Sequence, residues 1–293
     1  MATIKELLVL GRHQLATHQV PYPQDTAACL LAHLLRQDRI FLLTHDQDLV
    51  APALIATYQE YLTRRCQGEP LQYIRGYQEF YGREFSVTPD VLIPRPETEF
   101  IIETALQLVS TQLSNPGRCV QILDLCTGSG CIAITLAAEL PMATIVATDI
   151  SHAALKVAQF NAQRHNVTTQ IHWLVTNLSS ALLAQPFFDI CCANPPYIAV
   201  ADRETLPPEV HYEPDLALFA DQAGTAIIQE IIQQAVSLVK PHGYLLCEIG
   251  YGQESIVQQQ IDRNYWQIQP TINDLQQIPR IIVLQRRADT VGD

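Results

Sequence analysis

Two short stretches of this chain carry residue types whose spacing could do chemistry. The first is "DLCTGSGCIA", residues 124 to 133, which follows an apolar run. Gly128 and Gly130 permit a tight turn and let a ligand approach the backbone closely, as in the loop after the first strand of an open α/β sheet. Asp149 ends the next apolar run, where a carboxylate can accept hydrogen bonds from ribose hydroxyls, so the two features together outline a nucleoside pocket. Gly128, Gly130 and Ala133 also satisfy the G-x-G-x-x-G/A pattern of dinucleotide binding, with Asp149 near the expected offset, so spacing alone leaves NAD and S-adenosylmethionine both open. Asp124 tilts the choice. A carboxylate at the tip of the first strand suits a ligand carrying a sulfonium and an amino group and would repel a pyrophosphate.

The second stretch is "CCANPPYIAV", residues 191 to 200. Phe187, Phe188, Ile190, Cys191, Cys192 and Ala193 read as a strand buried on both faces. Pro195 and Pro196, which have no N–H to donate, would end its ladder. Taken alone, this is strand termination. In a doubly wound sheet, however, this fourth strand lies beside the first, on the side away from the second, and its end opens onto the crevice of the glycine loop. An amide or exocyclic amine is a poor nucleophile because its lone pair is delocalised, so methylating one requires its NH₂ to be held and aimed. The Asn194 carbonyl and a main-chain carbonyl in the Pro195 to Pro196 segment could accept its two hydrogens. They would fix the nitrogen at a near-attack distance of roughly 3 to 3.5 Å and favour the positive charge that develops there. Tyr197 offers a flat wall, and no general base is needed at first because the proton can leave after transfer.

These residues require a scaffold, and the hydrophobic periodicity supplies one. Residues 1 to about 70 show helical spacing in "IKELLVLGRHQL", "DTAACLLAHLLR" with Asp25 as its expected cap, and "PALIATYQEYLTRRCQG" ended by Gly68. From Gln72 to Pro94 the pattern predicts a hairpin, with Phe80 and Phe85 flanking Gly82. After a helix in "ETEFIIETALQLVS" and a loop at "SNPG", strands and helices alternate, with Ser151 expected to cap one helix. The expectation is an α/β fold, a mostly parallel sheet with helices on both faces. The domains expected are a helical domain over 1–71, a β-hairpin linker over 72–94 and a catalytic domain over 95–293.

Composition narrows the class further. With 293 residues, 48% of them hydrophobic, the chain can bury a substantial core. No apolar run approaches the roughly 20 residues of a membrane span, and the start has helical spacing without a cleavage signature, so the cytoplasm is the expected location. Net charge is −12, and residues 95–293 carry 10 Lys/Arg against 20 Asp/Glu, which argues against a phosphate-gripping surface and direct nucleic-acid binding. Eight cysteines without a CxxC pair, most of them in apolar or glycine-containing segments, read as reduced thiols. Nine scattered histidines predict no metal site.

The chain also resembles a known family. "DLCTGSG", "ATD" and "NPPY" in this order look like an amino methyltransferase using S-adenosylmethionine. "EPLQYIRGYQEFYGREFSVTPDVLIPRPETE" and "LLCEIGYGQ" resemble the PrmC/HemK family, which methylates the side-chain amide of the glutamine in the GGQ motif of class I peptide-chain release factors. The resemblance implies a class I (Rossmann-like) S-adenosylmethionine methyltransferase sheet. It implies that Cys126, Thr127, Gly128, Ser129 and Gly130 cradle the cofactor with Asp124, that Asp149 holds its ribose, and that Asn177 and Leu178 sit near its adenine. Asn194, Pro195, Pro196 and Tyr197 would hold the glutamine, with Asn194 also near the cofactor, and Arg95 and Glu97 of "IPRPETE" would lie close by. Three positions depart from the common pattern, Cys126 for glycine, Asn177 for aspartate and Leu178 for an aromatic residue; "NDLQQIPR" also lacks a usual glycine. A cysteine at position 126 also fits the related PrmB group, which methylates a ribosomal-protein glutamine, while "PRPETE" fits PrmC better. A nucleic-acid amino methyltransferase, a silent cofactor-binding scaffold and an NAD oxidoreductase are the competing readings. The six carboxylates between Asp202 and Asp221 are expected to face a basic surface of the partner.

Overall fold

The computed structural model describes residues 2–113 and 119–288, so the loop expected at "SNPG" lies outside the described residues. The chain divides into two compact units, one of residues 1–77 with 207–212 and the other of 78–206 with 213–293.

The first unit is helical. Ile4–Thr17, Pro23–Leu35 and Pro52–Cys66 pack their apolar stripes together, burying Leu7, Leu15, Leu30, Leu31, Tyr58 and Leu62. Thr3 and Glu6 form a reciprocal capping box at the first helix. Gly68 lies just past the third with φ +98°, as its place in the sequence requires. The second helix corrects an expectation. Pro23 starts it three residues early, Tyr22 occupies the cap position without a side-chain bond, and Asp25 lies inside the first turn, paired with Arg39. Two short helices, Arg39–Thr44 and Leu71–Arg75, complete the unit. The 207–212 segment belongs to it through Arg65, whose buried guanidinium donates to Glu209, and through the Tyr212 hydroxyl, which donates to the Gln67 carbonyl.

Inside the expected 72–94, whose first residues instead belong to the helix Leu71–Arg75, the strands Tyr77–Phe80 and Arg83–Ser86 form a hairpin. Its two turn residues, Tyr81 and Gly82, both have positive φ, the geometry that matches strand twist across a two-residue loop.

The second unit is built on an eight-stranded sheet. Its spatial order runs Trp266–Ile268, Pro279–Arg286, Val239–Glu248, Phe188–Ala193, Gln121–Leu125, Thr144–Asp149 and Ile171–Val175, with Ile272–Asn273 paired to the second of these. From Val239–Glu248 to Ile171–Val175 the strands are parallel, and Pro279–Arg286 is antiparallel. Every residue of Phe188–Ala193 is buried, which is why its sequence reads as a continuous apolar run. Helices Glu99–Thr111, Cys131–Glu139 and His152–Arg164 contribute to the core on one face, and Ala226–Leu238 to the core on the other. Ser151 caps its helix as expected, its hydroxyl accepting from the Ala154 N–H. Register fixes the site: Leu125 pairs with Ala193 on one side and Thr148 on the other, so Cys126 and Asn194 leave the sheet side by side.

Candidate active site

Between Leu125 and the helix Cys131–Glu139 the chain turns through three left-handed residues, Cys126, Gly128 and Gly130. The turn is tied to the neighbouring strand end by two bonds. The Thr127 N–H donates to the Thr148 carbonyl at 3.0 Å, and the Gly128 N–H donates to Asp149 Oδ2 at 2.9 Å. Asp149 Oδ1 accepts from the Ser151 N–H at 2.8 Å, and burial raises the pKa of this carboxyl. Asp124, expected to face a cationic ligand, is wholly buried beneath the loop and accepts from the Thr127 hydroxyl at 2.5 Å. Its carboxyl holds the turn, and burial pushes its pKa up to about 7.

Gly128 and Gly130 do different work. A Cβ on Gly128 would meet nothing within 4 Å, whereas one on Gly130 would come within 2.8 Å of Ile134 and 3.0 Å of Ala158. Gly128→Ala is therefore expected to keep the fold and add a methyl group to the lining of the cavity above the loop, lowering the affinity of a ligand bound there at least about tenfold, with a small loss of stability from the positive φ. Gly130→Ala is expected to cost roughly 1–3 kcal/mol of stability through overpacking. Calorimetric titration and denaturant melts of both variants separate the two effects.

Above the loop lies a cavity of about 220 Å³. Of the residues expected to form the site, Cys126, Thr127, Gly128, Ser129, Asp149, Asn177, Leu178, Asn194 and Pro196 line it. Asp124, Gly130, Pro195 and Tyr197 do not line it. Leu178 is buried with φ +49°, an unfavourable backbone for its residue type, shortly after the strand Ile171–Val175. The opposite wall comes from Val91, Leu92, Pro94 and Thr98 and from Pro214, Leu216 and Ala217. Arg95 and Glu97 do not line the cavity. Arg95 pairs with the buried Glu213, which also accepts from the Ile93 N–H at 2.9 Å, so this arginine ties the two parts of that wall together.

Asn194 sits where the loop, the cavity and the strand end meet. Its Nδ2 donates to Thr98 Oγ1 at 3.0 Å, while its Oδ1 is buried with no hydrogen-bond partner among the described residues. Thr98 in turn donates to Glu248 Oε2 at 2.7 Å, and the Tyr197 hydroxyl donates to Glu248 Oε1 at 3.1 Å. Glu248 is 2% exposed, and burial pushes its pKa up to about 7 against the lowering effect of those two hydroxyls. The Tyr197 carbonyl accepts from Gln253 Nε2 at 2.8 Å, and Gln253 Oε1 accepts from the Gly250 N–H. A buried oxygen without a partner costs free energy unless something fills its place, and Asn194 is one of the residues that line the cavity.

A family model for the PrmC N-terminal domain matches residues 6–76, and one for the methyltransferase small domain matches residues 101–206. The chain is 39% identical to the release factor glutamine methyltransferase of Koribacter versatilis, over 96% of this chain and 98% of that one. It belongs to the release factor glutamine methyltransferase family. A second member, from Nitratidesulfovibrio vulgaris, is 40% identical over 85% of this chain and 83% of its own. The hMettl16 catalytic domain, solved in complex with a 3′UTR hairpin, shares the fold at TM-score 0.59 and 15% identity, covering 90% of this chain and 95% of that one.

In this member of the family, sequence reasoning missed Thr98 and Glu248. Both lie inside quoted stretches, "IPRPETE" and "LLCEIGYGQ", yet nothing local marks a threonine between two glutamates or a glutamate at a strand end as partners. The acidic stretch after NPPY is also not one surface. Glu209 pairs with Arg65, Glu213 with Arg95 and Asp215 with Arg203. Among the described residues no group of three or more His, Cys, Asp or Glu could hold a metal ion, and all eight cysteines are free thiols. No helix of the described residues is long and apolar enough to cross a membrane.

Proposed function

We propose that the protein transfers a methyl group from S-adenosylmethionine to the side-chain amide nitrogen of the glutamine in the GGQ motif of class I release factors. The observation that carries this is the partnerless Asn194 Oδ1, a buried hydrogen-bond acceptor for an N–H that the chain itself does not supply.

The residues fit the cofactor. The Gly128 face is open to the cavity, and of the other lining residues Asp149 would accept from ribose hydroxyls while Ile150 and Leu178 would give apolar surface to an adenine. When bound, S-adenosylmethionine supplies an electrophilic methyl group. This chain's own contribution is to hold the acceptor. Asn194 Oδ1 takes one hydrogen of the glutamine NH₂, and a main-chain carbonyl of the Pro195 to Pro196 segment takes the other. Held between two acceptors, the nitrogen directs its lone pair at the methyl carbon, and both oxygens favour the positive charge it gains. The excess proton then leaves to water. Pro195 and Pro196 keep the loop stiff, and Glu248 and Gln253 hold Tyr197 in place.

The helical unit is assigned to docking the body of the factor, supported by its own cavity with aromatic and basic walls, His33, Tyr61, Tyr77, Arg36 and Arg39. A release factor as substrate places the protein in the cytoplasm. The test is transfer of labelled methyl to a purified class I release factor, beside the same factor with its GGQ glutamine changed to alanine. Label on the first alone is expected; label on neither, or equally on both, overturns the proposal.

A further inference from the structure

We infer that Glu248, acting through Thr98, sets the side-chain amide of Asn194 with its oxygen toward the substrate, and is thus a positioning residue for methyl transfer. The inference rests on the function proposed above and adds a residue that touches neither the cavity nor the reacting atoms.

An asparagine side chain has two nearly isosteric ends, one that accepts and one that donates, and only the accepting end can hold an amide N–H. What decides between them is the partner behind. Thr98 Oγ1 is that partner, and a hydroxyl can take either role. Its single hydrogen is committed to Glu248 Oε2 at 2.7 Å. Above about pH 7, where Glu248 is ionised, it can only accept, and it receives two hydroxyls, those of Thr98 and Tyr197. Thr98 therefore has only a lone pair left for Asn194, which must present Nδ2 to it, as it does at 3.0 Å. Asn194 Oδ1 is left buried and without a partner, on a residue that lines the cavity. The three residues come from positions 98, 194 and 248, and the chain of donors runs in one direction, from Asn194 through Thr98 to Glu248.

The substitution Glu248→Gln would reverse this logic without changing shape. The new side-chain amide donates as well as accepts, so it can give a hydrogen to Thr98 Oγ1. Thr98 then donates to Asn194 Oδ1, the asparagine amide turns over, and an NH₂ group faces the substrate's own NH₂.

The test uses the full chain with Glu248→Gln, Thr98→Val and Thr98→Ser. Glu248→Gln and Thr98→Val are each expected to lower kcat on the release factor roughly a hundredfold, the cost of a misaligned reacting group. Calorimetric affinity for S-adenosylmethionine should stay within about twofold. Thr98→Ser, which keeps the hydroxyl, is expected to retain most of the wild-type kcat. Combining Glu248→Gln with Thr98→Val should cost no more than either alone, because both act through one amide. A readout independent of turnover is the ¹⁵N side-chain resonance of Asn194. Its amide protons should show cross-relaxation to the Thr98 methyl in the wild type and lose it in Glu248→Gln. Wild-type kcat in Glu248→Gln or Thr98→Val, a parallel loss of cofactor affinity, or an unchanged Asn194 resonance each overturns the inference. Failure of the wild type to methylate the factor would instead strike the proposed function, and the resonance measurement would still decide the role of Glu248.

Discussion

Asn194→Ala is expected to lower kcat for methyl transfer roughly a hundredfold to a thousandfold, the range found when one preorganised hydrogen-bonding group is taken from a reacting centre. The alanine removes the acceptor proposed for the glutamine N–H and also leaves Thr98 Oγ1 without the donor it now has at 3.0 Å. It does not touch the ties that shape the glycine loop, which run from Thr127 to Asp124 and Thr148 and from Gly128 to Asp149. The loss should therefore appear in kcat far more than in the dissociation constant for S-adenosylmethionine. Steady-state kinetics with saturating cofactor, set beside calorimetric titration, measures both. A variant with wild-type kcat would mean that Asn194 only ends its strand.

The second large effect is a fall in stability as the pH rises towards neutrality. Burial moves Asp124 from 3.8 to about 7 and Glu248 from 4.5 to about 7. Between those limits the folded chain holds protons that the unfolded chain has released, so unfolding free energy falls with rising pH and levels off above about 7. At 1.36 kcal/mol per unit, the change across each window is roughly 3 to 4 kcal/mol, the larger for Asp124. Denaturant melts at about pH 5 and about pH 8 should show it. Asp124→Asn and Glu248→Gln should each flatten the slope, since neither amide ionises. Glu248→Gln is thus expected to be more stable near neutral pH and yet slower in turnover, a trade typical of a group kept for chemistry. Equal stability at both pH values in the wild type would contradict the account.

Much of this was legible in the sequence because the signals are local. The turn at Gly82, the cap at Ser151 and the continuous apolar run before Asn194 each state their structure within a few residues. The crevice followed from strand order alone, since a fourth strand beside the first brings position 194 next to position 126. Long-range partners could not be read this way. Thr98 and Glu248 are 150 residues apart, and Glu248 comes near Asn194 because the sheet brings the end of Val239–Glu248 beside that of Phe188–Ala193. The burial of Asp124 cannot be seen from a strand tip, and Asp25 misled because the proline before it starts the helix early. The chain between Ile198 and Gly224 was also opaque. It uses short 3₁₀ turns and left-handed backbone at Gln222 and Ala223, where neither residue announces a positive φ.

The most direct test of the central claim offers the protein a class I release factor and a large-subunit ribosomal protein together, with S-adenosylmethionine, and maps the product by tandem mass spectrometry. The account predicts a single methyl group on the side-chain amide of the GGQ glutamine and none on the ribosomal protein. A methyl group on the ribosomal protein instead, or on another residue of the factor, would contradict it.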